Sequence, residues 1–381
     1  MLRVFLPDEL ITEVLSFLPV RTLMRVKCVC KSWKTLISNP TFVELHLKRS
    51  ARNKQLAILS NTSNDLRVVS QVPMHRLLEN TSLTIANDPY FDSLGYICPV
   101  GSCNGLLLLT YNSSDSESWL LYLWNPATRS LSDKIGFNHC GSQVYSQYKV
   151  YSHCWNCGFG YDNSTGTYKI VAFCRSHKEV KVLSIGDNVW RNIQSFPDVY
   201  LIISHSGVYA NGSLNWLTIR NQSHNENWKN VPINQYFVII SLDLSTETYR
   251  PLLLPPLGGD KARLIRPKLV VLMDFLCFSY DFNKTDLIIW QMKEFGVQES
   301  WIQFLKLSYQ SLPNVYNIRT ASILSPLYLS ENGDTLILIW DNADQAILYK
   351  MRDNTVEKTR ITNEVRLSLS MVYVESLVPT C

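Results

Sequence analysis

Apolar residues follow two different rhythms along this chain. In the first fifty residues they recur at steps of one, three and four. Leu10, Ile11, Val14, Leu15 and Leu18 make one stripe, Val20, Leu23, Met24, Val26 and Val29 a second, and Trp33, Leu36 and Ile37 a third. A period near 3.6 places each set on one face of a short helix. Pro7 suits a first helical turn, Asp8 and Glu9 suit the positive end of the helix dipole, and Pro19 ends that helix. Asn39-Pro40 predicts a stop after the third helix. So small a unit leaves much of its apolar surface uncovered, and the rest of the chain or a partner must complete its core.

From about Arg52 onward the rhythm changes to short strands bounded by turn residues. Leu121-Tyr122-Leu123-Trp124 runs into Asn125-Pro126-Ala127-Thr128-Arg129, Gly158-Phe159-Gly160-Tyr161 into Asp162-Asn163-Ser164-Thr165-Gly166, and Val238 to Leu242 into Asp243-Leu244-Ser245-Thr246-Glu247. In each, a strand meets an Asx-Ser/Thr turn that can hydrogen-bond its own backbone, which predicts a hairpin. Looser copies are Val180 to Ile185 before Gly186-Asp187-Asn188, Gly207 to Ala210 before Asn211-Gly212, and Leu327 to Leu329 before Glu331-Asn332-Gly333-Asp334. Recurrent hairpins favour a propeller of radially arranged sheets, and the length leaves room for roughly six of about fifty residues each. The expected fold is thus α+β and multidomain: small helices over 1–47, then a large all-β, propeller-like domain over 48–381.

The 381 residues, 46% of them hydrophobic, suffice for a substantial core. The longest apolar runs, such as Leu106 to Leu109 and Leu336 to Ile339, are too short to cross a bilayer. Asp8, Glu9 and Glu13 interrupt what would be the apolar region of a signal peptide, so a cytosolic or nuclear location is expected. On that reading the Asn-x-Ser/Thr sequons are polar turn chemistry. Residues 1–50 hold eight Lys and Arg against four Asp and Glu, which accounts for the whole formal charge of +4. Arg21, Arg25, Lys27, Lys31 and Lys34 lie along the second and third helices, so a nucleic-acid- or chromatin-associated role is the alternative to a protein-binding one. The excess is modest beside the dense basic face that counterion release requires, and it fits an acidic protein partner better.

The ten cysteines lack the regular framework of a small secreted domain and are expected as free thiols, mostly small core residues. Cys154 and Cys157 have zinc-knuckle spacing, with His139, Cys140 and His153 nearby, but a second pair at metal spacing is missing, so no metal is expected. Gly158-x-Gly160 lacks the third glycine and the helix of a dinucleotide loop, and Gly101-x-x-x-Gly105 lacks the lysine of a phosphate loop. No nucleophile, base and orienting group stand in a recognisable motif, so neither catalysis nor a cofactor is expected. A sugar-binding role rests only on the aromatic-rich β region and is weaker.

The order Leu6-Pro7-x-Glu9-Leu10, then Leu18-Pro19-Val20-x-x-Leu23-x-Arg25-x-Lys27-x-Val29-Cys30-Lys31-x-Trp33, resembles an F-box over Val4 to about Leu47. That resemblance implies docking onto the Skp-family adaptor of Skp-cullin-F-box ubiquitin ligases. It implies that Leu6, Pro7, Leu10, Ile11, Val14, Leu15, Leu18, Pro19, Val20, Leu23, Val26, Val29, Cys30, Trp33 and Ile37 face the adaptor or pack the helices that do. Gly101 to Leu107, Trp124 to Arg129, Gly158 to Asp162, Lys169-Ile170-Val171 and Asn211 to Trp216 resemble, in order, the plant F-box-associated domain of the first type. That domain is similar to a divergent kelch propeller, as in S-locus F-box and F-box/kelch-repeat proteins. The kelch di-glycine is absent from the blades, since Gly258-Gly259 sits in a Pro-rich loop.

Together the two resemblances imply a non-catalytic substrate receptor. Cullin and ring-finger subunits would be reached indirectly, and an unidentified target would be held near the conjugating enzyme. Candidate target-binding loops are Asn112 to Ser118, Phe137 to Gln147 and Asn221 to Asn234, where His224 and Trp228, with the adjoining Tyr236, add aromatic and titratable character.

Overall fold

In the computed structural model the described residues are 7–51, 53–62, 65–79, 82–84, 96–112, 119–137, 155–174, 179–187, 189–196, 199–202, 206–220, 237–257, 264–312, 324–340, 345–362 and 370–380. They fall into two compact units: Met1–Asn80, Ile85–Phe137 and Leu369–Cys381 in the first, Thr81–Thr84 and Asn138–Ser368 in the second.

The first unit opens with four helices, α1 (Asp8–Leu15), α2 (Val20–Val26), α3 (Lys31–Ser38) and α4 (Pro40–Ser50). Pro7 and Pro19 each immediately precede a helix in extended backbone, where a missing N–H costs nothing. The Cys30 thiol caps α3 by accepting from the Trp33 N–H at 3.4 Å. Asn39-Pro40 ends α3 at Ser38 as expected, and the same pair also opens α4. The Asn39 side chain accepts from the Thr41 N–H at 2.8 Å, and Pro40 supplies a preset φ at the first helical position. Leu15, Val20, Leu23, Ile37 and Phe42 form the core of these helices, and Leu377, from far along the chain, completes it.

Two sheets complete this unit. One orders β2 (Asp65–Pro73), β1 (Lys54–Thr62) and β26 (Met371–Val374), with the short α5 (Met74–Glu79) following β2. The other orders β4 (Tyr96–Cys103), β5 (Leu106–Asn112), β6 (Trp119–Asn125) and β7 (Ser130–Leu131), with β8 (Ile135–Phe137) also on β6. Ala57, Leu107, Leu109, Trp124 and Tyr373 pack between them.

The described residues of the second unit form four antiparallel runs. The first comprises β9 (Trp155–Asp162), β10 (Thr167–Cys174), β11 (Val180–Ser184) and β12 (Trp190–Ile193). The second comprises β14 (Ser206–Ala210), β15 (Ser213–Arg220), β16 (Phe237–Asp243) and β17 (Tyr249–Leu252), with β13 (Val199–Ile202) also on β15. A short parallel pairing of β9 with β14 joins these two. The third orders β18 (Leu264–Leu272), β19 (Phe275–Phe282), β20 (Asp286–Met292) and β21 (Trp301–Ser308). The fourth orders β22 (Leu324–Leu329), β23 (Thr335–Trp340), β24 (Gln345–Lys350) and β25 (Thr355–Thr362), with β3 (Ser82–Thr84) parallel to β25. The all-β part is thus propeller-like, and its described residues make six antiparallel runs, the number for which the length leaves room.

The three turns singled out in the sequence share one construction. Asn125 Oδ1 accepts from the Ala127 and Thr128 N–H groups, Asp162 Oδ1 from Ser164, and Asp243 Oδ1 from Ser245 and Thr246, all at 2.8–3.2 Å. Four residues after each Asx, the backbone turns left-handed at Arg129, Gly166 and Glu247. Across that residue Thr128 meets Ser130, Thr165 meets Thr167 and Thr246 meets Thr248, hydroxyl to hydroxyl at 2.7–2.8 Å. Two tighter hairpins use Asn104-Gly105 and Asn211-Gly212, left-handed at both positions as a two-residue hairpin turn of this hand requires.

Gly158 and Gly207 serve close packing. A Cβ on either would come within about 3 Å of the Trp216 ring, which is fully buried. Phe196 stacks at an edge to Trp216 with centroids 5.6 Å apart and lies 5.2 Å from Tyr249 and 4.6 Å from Phe173. These rings wedge the first and second runs together.

Candidate protein-docking surface

The residues implied to form the docking surface separate by exposure. Leu15, Val20, Leu23 and Ile37 are core, while Ile11, Leu18, Val26 and Trp33 are half-buried against it. Pro7, Leu10, Val14, Pro19, Val29 and Cys30 point outward, and Leu6 lies outside the described residues. Leu10 is 53% exposed, Val14 64% and Val29 67%, values that mark them as unpartnered in a module whose interior is already filled.

Sequence reasoning missed one member of this surface, Phe17, 66% exposed, and left a second, Met24 of the second stripe, out of the docking residues. The signal was present, because Leu10, Val14 and Phe17 are spaced by four and three, and the stripe was instead continued to Leu18. In the structure α1 ends at Leu15, and Leu18 turns inward, its carbonyl accepting from His46 Nε2 at 3.0 Å. Phe17 is held in place by Arg49 of α4, whose guanidinium lies 4.1 Å from the ring centroid. Arg49 is fixed in turn by two bonds to the Glu13 carboxylate at 2.7 and 2.8 Å and by a contact with the Ser16 hydroxyl.

Charge frames the apolar residues. Arg21, Arg25, Lys31 and Lys34 are exposed, and Lys27 is half-buried. Burial and then the neighbouring Lys34 lower the Lys27 ammonium below its ordinary pKa. His46 is buried and its pKa is lowered by that burial, against the opposing pull of the Leu18 carbonyl and Glu375.

In the β region the exposed large apolar residues are Val189, Leu253, Met273 and Ile302, set far apart in the sequence. The loops expected to hold a target, with His224, Trp228 and Tyr236, lie outside the described residues except where Asn112 and Phe137 end β5 and β8. A shallow polar depression is lined by Asp162, Asn163, Ser164, Asn211, Gly212, Asp243 and Ser245. Its carboxylates are already engaged: Asp243 bonds its own turn, and Asp162 bonds its turn and Lys169, 2.9 Å away. Of the five candidate zinc ligands only Cys157 is described, as a strand residue whose thiol is pushed far up by burial. Among the described residues no three His, Cys, Asp or Glu side chains could share a metal. No described helix is long and apolar enough to cross a membrane.

Residues 5–45 match the F-box domain model, and residues 62–380 match the F-box associated beta propeller domain model. An F-box/kelch-repeat protein of Arabidopsis thaliana is 29% identical over 359 residues, covering 90% of this chain and 87% of the relative. A second Arabidopsis F-box protein is 27% identical over 375 residues, covering 89% and 78%. The Arabidopsis F-box protein CPR1 is 24% identical over 399 aligned positions, covering 99% and 89%. With the helical segment falling in one matched range and most of the β region in the other, the chain belongs to the F-box proteins that carry an F-box-associated β-propeller domain.

Proposed function

We propose that this protein is the substrate-recognition subunit of a Skp-cullin-F-box ubiquitin ligase, with residues 1–47 as the adaptor-binding module and 48–381 as the target-binding domain. The observation that carries this reading is the set of Leu10, Val14, Phe17 and Val29, each more than half exposed on α1 and on the turns that follow α1 and α2, above a core that Leu377 completes. Exposed apolar anchors ringed by Arg21, Arg25, Lys31 and Lys34 suit a protein partner with an apolar groove and an acidic rim. The protein itself performs no bond chemistry in this role. It raises the effective concentration of target lysines at a conjugating enzyme that the adaptor, cullin and ring-finger subunit bring near.

The structure decides which variant tests this. Leu15 is buried, so Leu15→Asp would disrupt the module itself, whereas Val14→Asp places a charge on the outer face. Full-length protein co-expressed with a Skp-family adaptor is expected to co-elute with it on size exclusion. Val14→Asp should weaken binding by about 100-fold or more, the loss of a buried hot-spot contact, with an unchanged melting temperature. Failure of soluble, folded wild type to bind would overturn the proposal and direct attention to salt-dependent nucleic-acid binding through the basic helices.

A further inference from the structure

The segment after β26 reaches back to the opposite end of the sequence. The Val20 N–H, one of the unpaired donors that begin α2, donates to the Glu375 carboxylate at 3.3 Å, 355 residues away. Leu377, 6% exposed, inserts among Leu15, Val20, Leu23, Ile37 and Phe42. On its other side the segment is clamped to the β6–β7 turn. Asn125 Nδ2 donates to the Ser376 and Val378 carbonyls at 3.0 and 2.7 Å while its Oδ1 holds the turn itself. The fit leaves no slack at Gly105, where a Cβ would come within 2.4 Å of the Ser376 hydroxyl.

We infer that residues 375–380 act as a strap that makes the adaptor-binding competence of the helices conditional on the completed β domain. The helices alone cannot finish their core, because Leu377 is one of its members. That member arrives only after every strand through β26 has been made. Asn125 checks the arrangement from the sheet side, since it satisfies the strap's carbonyls only when the β6–β7 turn is formed. A chain whose β domain is missing or misfolded would present a loosened α1–α3 surface and compete poorly for the adaptor. The same strap fixes the helices against the first sheets, so the module is not carried on a free linker.

This rests on the proposed adaptor reading for its binding arm but not for its structural arm. The test compares full-length wild type, Leu377→Ala, Asn125→Ala and a chain ending at Val374, by hydrogen exchange and by affinity for a purified Skp-family adaptor. None of the altered residues lies on the outward face. Amides of α2 and α3 are expected to exchange at least about tenfold faster in the Leu377→Ala and shortened chains, with β15, β16, β19 and β20 unchanged. A module that is competent a tenth of the time binds about tenfold more weakly. Asn125→Ala should give a smaller change in the same direction. Unchanged α2 and α3 exchange in Leu377→Ala and Asn125→Ala, both full length and soluble, overturns the strap. Nearly complete loss of α2 and α3 protection with unchanged adaptor affinity overturns the coupling, and a wild type that fails to bind counts against the adaptor reading alone.

Discussion

Leu10, Val14, Phe17 and Val29 in the helical N-terminal segment show most of their side chains to solvent, whereas Phe159, Ile170, Val182, Trp216 and Leu242 in the second unit show essentially none. Both regions have similar apolar content to dispose of, and they dispose of it differently. In the sheets the buried apolar residues meet another sheet or a wedge of aromatic rings. In the helices one stripe closes on itself with help from Leu377, and a second stripe is left open. An apolar residue buried inside the sheets therefore concerns stability, whereas one in the first region's open stripe adds little to the core of the helices.

The largest effect that tests this contrast is expected at Trp216. It fills the space beneath Gly158 and Gly207 and meets Phe196 at its edge. Trp216→Ala should cost about 3–5 kcal/mol, read from the shift in the urea midpoint, through lost burial and the cavity left behind. Val14→Asp should leave that midpoint where it is. A Trp216→Ala protein as stable as wild type would mean that the sheet core collapses around the gap, and the contrast with the open stripe would lose its physical basis.

Much of this was legible in the sequence because it is local. Asn125, Asp162 and Asp243 each carry their turn chemistry within three residues, so strand, turn and return strand could be read directly. Helix periodicity likewise marked Leu15, Leu23 and Ile37. What escaped was either a boundary or a long-range contact. Asn39-Pro40 is both a helix stop and a good helix start, and only the apolar Phe42 and Val43 packing below it decides for the start. Leu377 and Glu375 carry no local signal for a place beside α2, because that place is set by the sheets that deliver them. The target loops remain proposals, since composition alone says where polar residues cluster and not what they touch.

The next effect concerns charge, which the β region also buries. Lys169 is 4% exposed and lies 2.9 Å from both Asp162 and Glu247, and it donates to the Leu244 carbonyl at 2.6 Å. For Asp162, burial alone would raise the carboxyl pKa, but bonds from Lys169, Ser164 and Thr165 outweigh it and hold it far below the usual range. Glu247 is also lowered, first by Arg191 and then by Lys169. For Lys169, burial is outweighed by the two carboxylates and the pKa is raised. The network's stabilisation is therefore complete above the ordinary carboxyl values of 3.8 and 4.5 and below the ordinary lysine value of 10.5. It is lost as pH falls through the depressed carboxyl pKa values or rises through the raised lysine one. Lys169→Met should cost about 3–5 kcal/mol at neutral pH by stranding a buried Asp162 carboxylate. The deficit should shrink in melts at acid pH, where Asp162 in the variant takes up a proton; a deficit independent of pH would assign the loss to packing instead.

The smallest effect uses the same pair of residue types in a wet setting. Lys350 on β24 bonds Glu357 on β25, with the two side chains 39% and 45% exposed. Water screens this pair, both side chains give up rotamer freedom to make it, and neither charge is stranded when the other is removed. Lys350→Ala is therefore expected to change the urea midpoint by an amount equivalent to less than about 0.5 kcal/mol, and raising salt should erase even that. If Lys350→Ala instead matched Lys169→Met, burial could not be what separates the two pairs. The stabilising role assigned to the Asp162 turn would then have to come from its hydroxyl and backbone bonds rather than from the lysine beneath it.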